Sequence, residues 1–415
     1  MRVLVLSQYF WPENFRVNDL CAELIARGHQ ITVLTGWPNY PDGQVFPNFR
    51  ADPAAFSSFQ GAEVLRVPVL PRGQGKLRLV LNYLSFVLSG LLLAPWLLRG
   101  RHFDAIFVFQ TSPITSVIPA LLLRRVKRAP LLLWVLDLWP DTLSAVGVLR
   151  SPRALAWIGR LVSFIYRRCD RVLVQSRAFF ANVQRHGGDA ACIRYFPNWA
   201  EPIFLGSLSE VAPAPEVAAH VGRFNVMFAG NIGDAQDFPA ILDAAQSLRD
   251  ECPQVRWLIV GEGRAAAWVR TEIDQRGLGQ CVVMLGRHPM ERMPGFFAGA
   301  SAMLVSLKRD PVFSMTIPGK VQSYLSAGVP VLAMMDGEGA RVIDEAGAGF
   351  TAPAGDSVGL ADAVRKLMAL GPAQRAAMGA SGRDYCGREF DRATLMSSLE
   401  SWMAELDGRL QPPSR

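Results

Sequence analysis

Cysteine is scarce and scattered. The six residues, Cys21, Cys169, Cys192, Cys252, Cys281 and Cys386, include no CxxC pair and no histidine at zinc-site spacing. That argues against a zinc ribbon or a disulfide framework and predicts buried thiols in a reducing cytosol, with neither metal nor cofactor expected. The first apolar run, Val3 to Leu6, is too short for a signal peptide, so export is not expected. No solenoid period recurs, which disfavours an array fold. Despite a net charge of +7, no aromatic-interleaved basic strand or recognition-helix pattern is present, so no nucleic acid is expected as a partner. The histidines, His186 and His288 among them, lack a partner pattern and read as structural.

What is present is length and apolar content. A chain of 415 residues, half of them hydrophobic, supports two cores. Short apolar runs separated by helix-length segments give strands at Met1 to Leu6, Ile31 to Leu34, Glu63 to Val67, Ala105 to Phe109, Leu131 to Leu136 and Arg171 to Val174. The text between Gly206 and Gly222 has two close prolines and no periodicity, which is linker composition. A second series follows at Asn225 to Ala229, Arg256 to Val260, Cys281 to Leu285, Ala302 to Leu307, Val329 to Met334 and Gly349 to Thr351. The fold class is therefore α/β, with two doubly wound, Rossmann-like parallel sheets. The expected domains are 1–205, a linker 206–222, 223–390, and a terminal helix and tail 391–415 with few core residues, which caps a domain or crosses back.

One stretch stands apart. Leu77 to Leu98 approaches the ~20 residues of a membrane span. Asn82, Ser85, Ser89 and Pro95 interrupt it, and it lies between strands of one sheet, so a membrane-contacting segment is expected, as a shallow in-plane helix or a re-entrant hairpin, with a buried core helix as the alternative. Arg72, Lys76, Arg78, Arg99 and Arg101 flank it and suit an anionic membrane surface.

In parallel sheets ligands bind beyond the carboxyl ends of strands. Three loops of the second half are equipped there: Gly230, Asn231, Ile232, Gly233; then Gly261, Glu262, Gly263, Arg264; then Ser306 to Lys320. The third, with Lys308, Arg309, Ser314, Thr316 and Lys320 ahead of a helix start, has the chemistry to hold a diphosphate. Taken singly, the glycines fit tight turns and the lysines fit solvated loop positions. In the first half, Pro12 to Asn18 follows a strand and opens a helix, so Asn14 and Arg16 are expected to face the interdomain cleft. Asp137 ends a strand, where a carboxylate can orient or deprotonate an acceptor hydroxyl or, equally well, cap the next helix.

The order of strand, GNIG, GEGR, LGR ending at Arg287, basic loop and KVQSYLSAGVPVL resembles the C-terminal donor domain of family 4 glycosyltransferases, whose fold is called GT-B. LSQYFWPENFRVNDLCAELIARGHQITVLT, LDLWPDTLSA and LVQSRAF resemble the L-fucosamine or fucosyl transferases of O-antigen and colanic acid assembly. The resemblance spans nearly the whole chain. It implies two domains facing an interdomain cleft, with 223–390 holding the donor, and retaining transfer from a UDP- or GDP-linked sugar to a lipid-linked glycan. The leaving diphosphate then helps take the acceptor proton and no enzymatic nucleophile is required. The implied location is cytoplasmic, peripheral on the inner face of the plasma membrane. Donor contacts fall on Gly230, Asn231, Gly233, Glu262, Gly263, Arg264, Arg287, Ser314, Thr316, Gln322 and Ser323, catalysis on Asp137, Lys308 and Lys320, and acceptor binding on Asn14 and Arg16.

The departures matter too. Family 4 enzymes usually carry two glutamates eight residues apart, and the register from Gly328 puts Met315 and Ser323 in their places. Gln236 and Asp237 stand where a basic residue is common. The site is re-equipped or dead, with Lys308, Arg264 and Lys320 left to neutralise phosphate. A nucleotide-sugar epimerase and a non-catalytic nucleotide-sugar-binding subunit of a polysaccharide assembly complex are the competing readings.

Overall fold

The structure is a computed structural model that describes residues 1–41, 43–73, 75–145, 147–206 and 208–408, without the side chains of Lys76 and Ser209. The end of the expected tail, 409–415, and the expected basic flank at Lys76 lie outside the described residues. Two units form: Met1–Pro197 with the segment from Ala393, and Asn198–Arg392.

In the first unit the strands are β1 (Arg2–Leu6), β2 (Gln30–Gly36), β3 (Ser58–Phe59), β4 (Ala62–Val67), β5 (Ala105–Gln110), β6 (Leu131–Val135), β7 (Arg171–Val174) and β8 (Ile193–Tyr195). Among the described residues they lie in the order β3-β4-β2-β1-β5-β6-β7-β8. All neighbours are parallel except the short β3–β4 pair. Every residue of β5 and β6 is buried, because helices cover both faces and a two-sided burial demands continuous apolar runs. The direction of winding reverses between β1 and β5, where Leu4 pairs with Thr32 on one side and Ile106 on the other.

In the second unit, β9 (Phe224–Ala229), β10 (Val255–Val260), β11 (Val282–Gly286), β12 (Ala302–Ser306), β13 (Val331–Met334) and β14 (Gly349–Ala352) form one parallel sheet, ordered β11-β10-β9-β12-β13-β14. Its reversal lies between β9 and β12. Each sheet thus has a switch point, the crevice at which doubly wound folds bind ligands.

The expected linker is not a free linker. The second unit begins at Asn198, and Phe204, Ala214 and Val217 are buried in its core, with the Phe204 ring stacked 4.9 Å from that of Phe297. The terminal helix, Arg392–Leu406, returns to the first unit, one of the two placements expected of it. Leu395, Met396, Leu399 and Met403 are buried at helical spacing that the intervening serines and Glu400 obscure in the sequence. It docks on the first unit: Glu400 accepts from Arg27 at 3.0 Å, pairs with His29 Nε2 at 2.7 Å, and Trp402 meets Phe196 edge-on.

The long apolar segment forms the helix Lys76–Leu97, which carries the chain from β4 to β5. Phe86, Val87 and Ala94 are buried, and Gly90 sits so close to Pro119 that an added Cβ would lie 2.7 Å from its ring. Asn82, wholly buried, donates to the Leu70 carbonyl and accepts from Gln8 at 2.8 Å. The opposite face is a bare apolar stripe, with Leu77, Leu92 and Trp96 more than 70 % exposed.

Leu399→Ala should lower the stability of the first unit by about 2–5 kcal/mol, since it removes a wholly buried side chain. Urea denaturation followed through first-unit tryptophans measures this, and a loss below about 0.5 kcal/mol, as at a surface position, would mean that the terminal helix does not dock.

Candidate functional site

The second unit's site is built by two glycine loops pressed together. Gly230, after β9, has φ +143°, and Gly261, after β10, has φ +144°, a region open to glycine and few other residues. A Cβ on Gly261 would stand 1.9 Å from the Gly230 carbonyl oxygen, so glycine is required for the contact itself. Ile232 donates its amide to the Glu262 carbonyl at 3.0 Å and locks the loops in register. The loop after β12 joins them: the Lys308 amide donates to the Ala235 carbonyl, and the Ser306 hydroxyl to that of Gln236.

Lys320 opens the helix Gly319–Ala327 and reaches into this junction. Its Nζ lies 3.8 Å from the centroid of the Phe228 ring, and a Cβ on Gly230 would stand 3.0 Å from it. The residue as a whole is half-buried, yet the Nζ itself is buried and has no hydrogen-bond partner among the described residues. Burial alone pulls its pKa down to about 7.

The other expected donor residues are placed unevenly. Gly230, Asn231, Gly233 and Gly263 belong to the paired loops, the Gly233 amide donating to Gln236 Oε1 at 3.0 Å. Lys308 is exposed near Asp237, whose carboxyl is raised by burial and opposed by the Lys308 charge. Glu262 forms an ion pair with Arg270. Arg264 is 87 % exposed and lies 3.4 Å from Asp234, and Arg287 is exposed, so neither is gathered at Lys320. Ser314 and Thr316 turn their hydroxyls back onto Pro311 and Val312. The buried Gln322 amide, oriented so that its nitrogen donates, satisfies the Pro318 and Gly319 carbonyls. Ser323 donates to Glu201 Oε2 at 2.5 Å. A carboxylate thus stands beside the position where the resemblance finds one missing, and it comes from a segment 122 residues earlier.

In the first unit Asp137 lies just beyond β6. Its carboxylate accepts from Trp139 Nε1 at 3.1 Å and interacts with Thr142 and Ser112, while burial raises its pKa. Asn14 is exposed and Arg16 pairs with Asp19 at 3.2 Å on its own helix. The carboxylate that organises that loop is Glu13, which sequence reasoning passed over. It is buried, accepts from the amides of Phe10, Asn39 and Tyr40 at 2.7–3.1 Å, and is pushed by burial to about 7. Two of the three amides ordering it, those of Asn39 and Tyr40, sit on a loop more than twenty residues away, so no local spacing announces it.

Residues 14–199 match the family described as Glycosyl transferase 4-like domain, and residues 223–369 the family described as Glycosyl transferases group 1. The chain is similar to the probable glycosyltransferase WbjE of Pseudomonas aeruginosa, 29% identical over 278 residues covering 66% of this chain and 68% of that protein. It is similar to the putative colanic acid biosynthesis glycosyl transferase WcaI of Escherichia coli K12, 26% identical over 352 residues covering 79% and 82%. Among solved structures, Anabaena HepE in complex with UDP and glucose superposes with a TM-score of 0.65 at 18% identity, covering 98% of this chain and 100% of that one. WaaG, a glycosyltransferase of lipopolysaccharide biosynthesis, gives 0.66 at 15%, with coverage of 98% and 100%.

The Lys320 geometry has a measurable consequence in the unliganded protein. Below pH about 7 the buried ammonium is charged in the folded and unfolded chain alike, and the penalty for burying it is full. Between about 7 and the ordinary lysine value the unfolded chain holds a proton that the folded one lacks, so stability rises with pH. Lys320→Met should flatten that rise and raise stability near neutral pH. Thermal unfolding from pH 6 to 10 checks it, and an unchanged pH slope in the variant would remove the assignment.

Proposed function

The chain belongs to the glycosyltransferases, carrying a glycosyl transferase 4-like and a glycosyl transferases group 1 domain on the GT-B fold, and from this we propose that it builds surface polysaccharide by retaining transfer. The donor is a UDP- or GDP-linked sugar and the acceptor a lipid-linked glycan. The names of WbjE and WcaI and the UDP complex of HepE support this choice of reaction and donor class.

The observation that carries the reading is Lys320. A buried ammonium with no partner is costly until an anion reaches it. It sits at the switch point of the second sheet, beside the glycine loop after β9 and at a helix start, where amides and helix dipole favour a diphosphate. As the sugar's bond to the leaving diphosphate breaks, the acceptor oxygen bonds to the anomeric carbon on the same face. The acceptor proton passes to the departing phosphate oxygen. Lys320 and the glycine-loop amides stabilise the charge that builds there, Lys308 adds a flanking charge, and Asp137 orients the acceptor hydroxyl.

We further place the enzyme peripherally on an anionic membrane surface through the helix Lys76–Leu97. Leu77, Leu81, Leu84, Leu88, Leu92 and Trp96 recur at helical spacing and are exposed, an apolar stripe that water does not stabilise. Spanning is incompatible with the fold, because β4 and β5 at its two ends belong to one sheet. Of the basic flanks, Arg101 is engaged by Glu63 and Arg72 lies over Tyr40, leaving Arg78 and Arg99 as the exposed headgroup contacts among the described residues.

Calorimetry with UDP at pH 8, in buffers of different ionisation enthalpy, should register proton uptake, since a diphosphate restores the Lys320 charge. Lys320→Met should abolish the uptake and weaken UDP binding about 10–100-fold while hardly changing that of uridine. Equal losses for both ligands would overturn the site.

Flotation of the purified protein with vesicles containing phosphatidylglycerol should recover it in the lipid fraction, less so in high salt. Leu84→Glu with Leu88→Glu should leave it in the soluble fraction with UDP binding intact. Unaltered flotation of that double variant would refute contact through this helix.

A further inference from the structure

The first sheet has its own switch point, between β1 and β5, and its surroundings hold a second unclaimed cation. Arg72 lies on the loop between β4 and the long helix. Its guanidinium stands 5.5 Å from the centroid of the Tyr40 ring and meets no carboxylate among the described residues. Its backbone is fixed by an amide hydrogen bond to Asn39 Oδ1 at 3.0 Å, so its place does not depend on a side-chain partner. Tyr9, on the loop after β1, packs 5.4 Å from Tyr40 and feels the Arg72 charge. Tyr83, on the second turn of the long helix, interacts with Arg72, Ser112, Asp137 and Tyr40. Trp139 Nε1 bridges Ser112 Oγ at 3.2 Å and Asp137 Oδ2 at 3.1 Å. Five loops and the long helix therefore converge on one polar patch, with a guanidinium at one end and a carboxylate at the other.

The two ends suit two parts of one molecule. An arginine whose fork is unopposed by a carboxylate favours a phosphate, which it can grip through two parallel hydrogen bonds. A carboxylate beside tyrosine and serine hydroxyls suits sugar hydroxyls. The Arg72 end adjoins the start of the helix whose outer stripe is bare and apolar. Resting on the proposed transfer to a lipid-linked acceptor, we propose that Arg72, Tyr40 and Tyr83 form the seat for the phosphate or diphosphate that joins the acceptor's sugar to its lipid, with Asp137 and Ser112 facing the sugar. The acceptor lipid then lies along the stripe of Leu77, Leu81 and Leu84, and the enzyme recognises its acceptor by the phosphorylated junction as well as by its sugar.

The test uses the full chain with UDP at saturation, so that the donor site is filled, and three probes: farnesyl diphosphate, farnesol and inorganic pyrophosphate. Binding is followed by tryptophan fluorescence and calorimetry. Farnesyl diphosphate should bind about tenfold or more tightly than farnesol, and than pyrophosphate, because both charge and chain contribute. Arg72→Ala should erase the preference for diphosphate over farnesol, and Arg72→Lys should keep part of it. UDP affinity, measured separately, should be unchanged in both variants. If Arg72→Ala retains the preference, or if pyrophosphate binds as tightly as farnesyl diphosphate, the acceptor seat is wrong while the donor assignment stands. Failure of the wild-type protein to bind UDP would instead remove the proposed function on which the seat rests.

Discussion

A parallel sheet buried on both faces can return its chain only by long crossovers, and this constraint organises the rest of the molecule. It forces every strand-to-helix loop onto the same edge of its sheet. It also produces, where winding reverses, a crevice that no crossover covers. The loops after β9 and β12 flank one such crevice, and those after β1 and β5 flank the other. The chemistry-bearing side chains are found there for a topological reason. Lys320 meets Gly230 because the helix after β12 starts beside the loop after β9, and Asp137 meets Ser112 because β6 neighbours β5.

Within that frame the two units handle charge in opposite ways. In the second, an ammonium is buried against Phe228 with no polar partner, which keeps its proton loosely held. In the first, Glu13 is buried but satisfied by three backbone amides, so it organises the loop to Tyr40 at the cost of a raised pKa. The buried ammonium is left unpaired, whereas the buried carboxylate spends its oxygens on structure. A buried titratable group whose hydrogen bonds remain unmade is therefore a stronger site marker than one that backbone amides satisfy.

Much of the fold was legible because two-sided burial leaves a plain mark. MRVLVL, LLLWV and NVMFA are apolar without alternation, and all three are strands at nearly the expected bounds. GNIG and GEGR were legible because only glycine tolerates the backbone and the contact that those turns require. The return of the terminal helix to the first unit was among the expected placements, but its core stripe of Leu395, Met396, Leu399 and Met403 was hidden because serines break it in sequence. The segment 206–222 was taken for a linker because two prolines and small residues look alike in a linker and in a short packed turn. Tyr40 and Tyr83 escaped altogether, and Arg72 was read only as a flank of the apolar stretch. They belong to two loops and one helix, and nothing in their spacing announces that the sheet brings them together.

The same limit bears on the glutamates that the resemblance expects at positions 315 and 323. A linear register sees Met315 and Ser323 and finds no acid. In three dimensions Glu201 reaches Ser323 on the first turns of the helix that carries Lys320, donated to by its hydroxyl at 2.5 Å. The segment holding Glu201 does not drift, because Phe204 and the Ser326 hydroxyl, which donates to the Phe204 carbonyl, fasten it to the same helix. A serine beside a carboxylate preserves negative charge and acceptor oxygens there, while moving the anchor of that charge to another stretch of chain. Substituting a glutamate for Ser323 would set two carboxylates against each other, so the serine is the residue that Glu201 permits. The loss of an acid from the linear motif is thus not a loss of acid from the surroundings of Ser323, and the reading of a dead enzyme loses its main support.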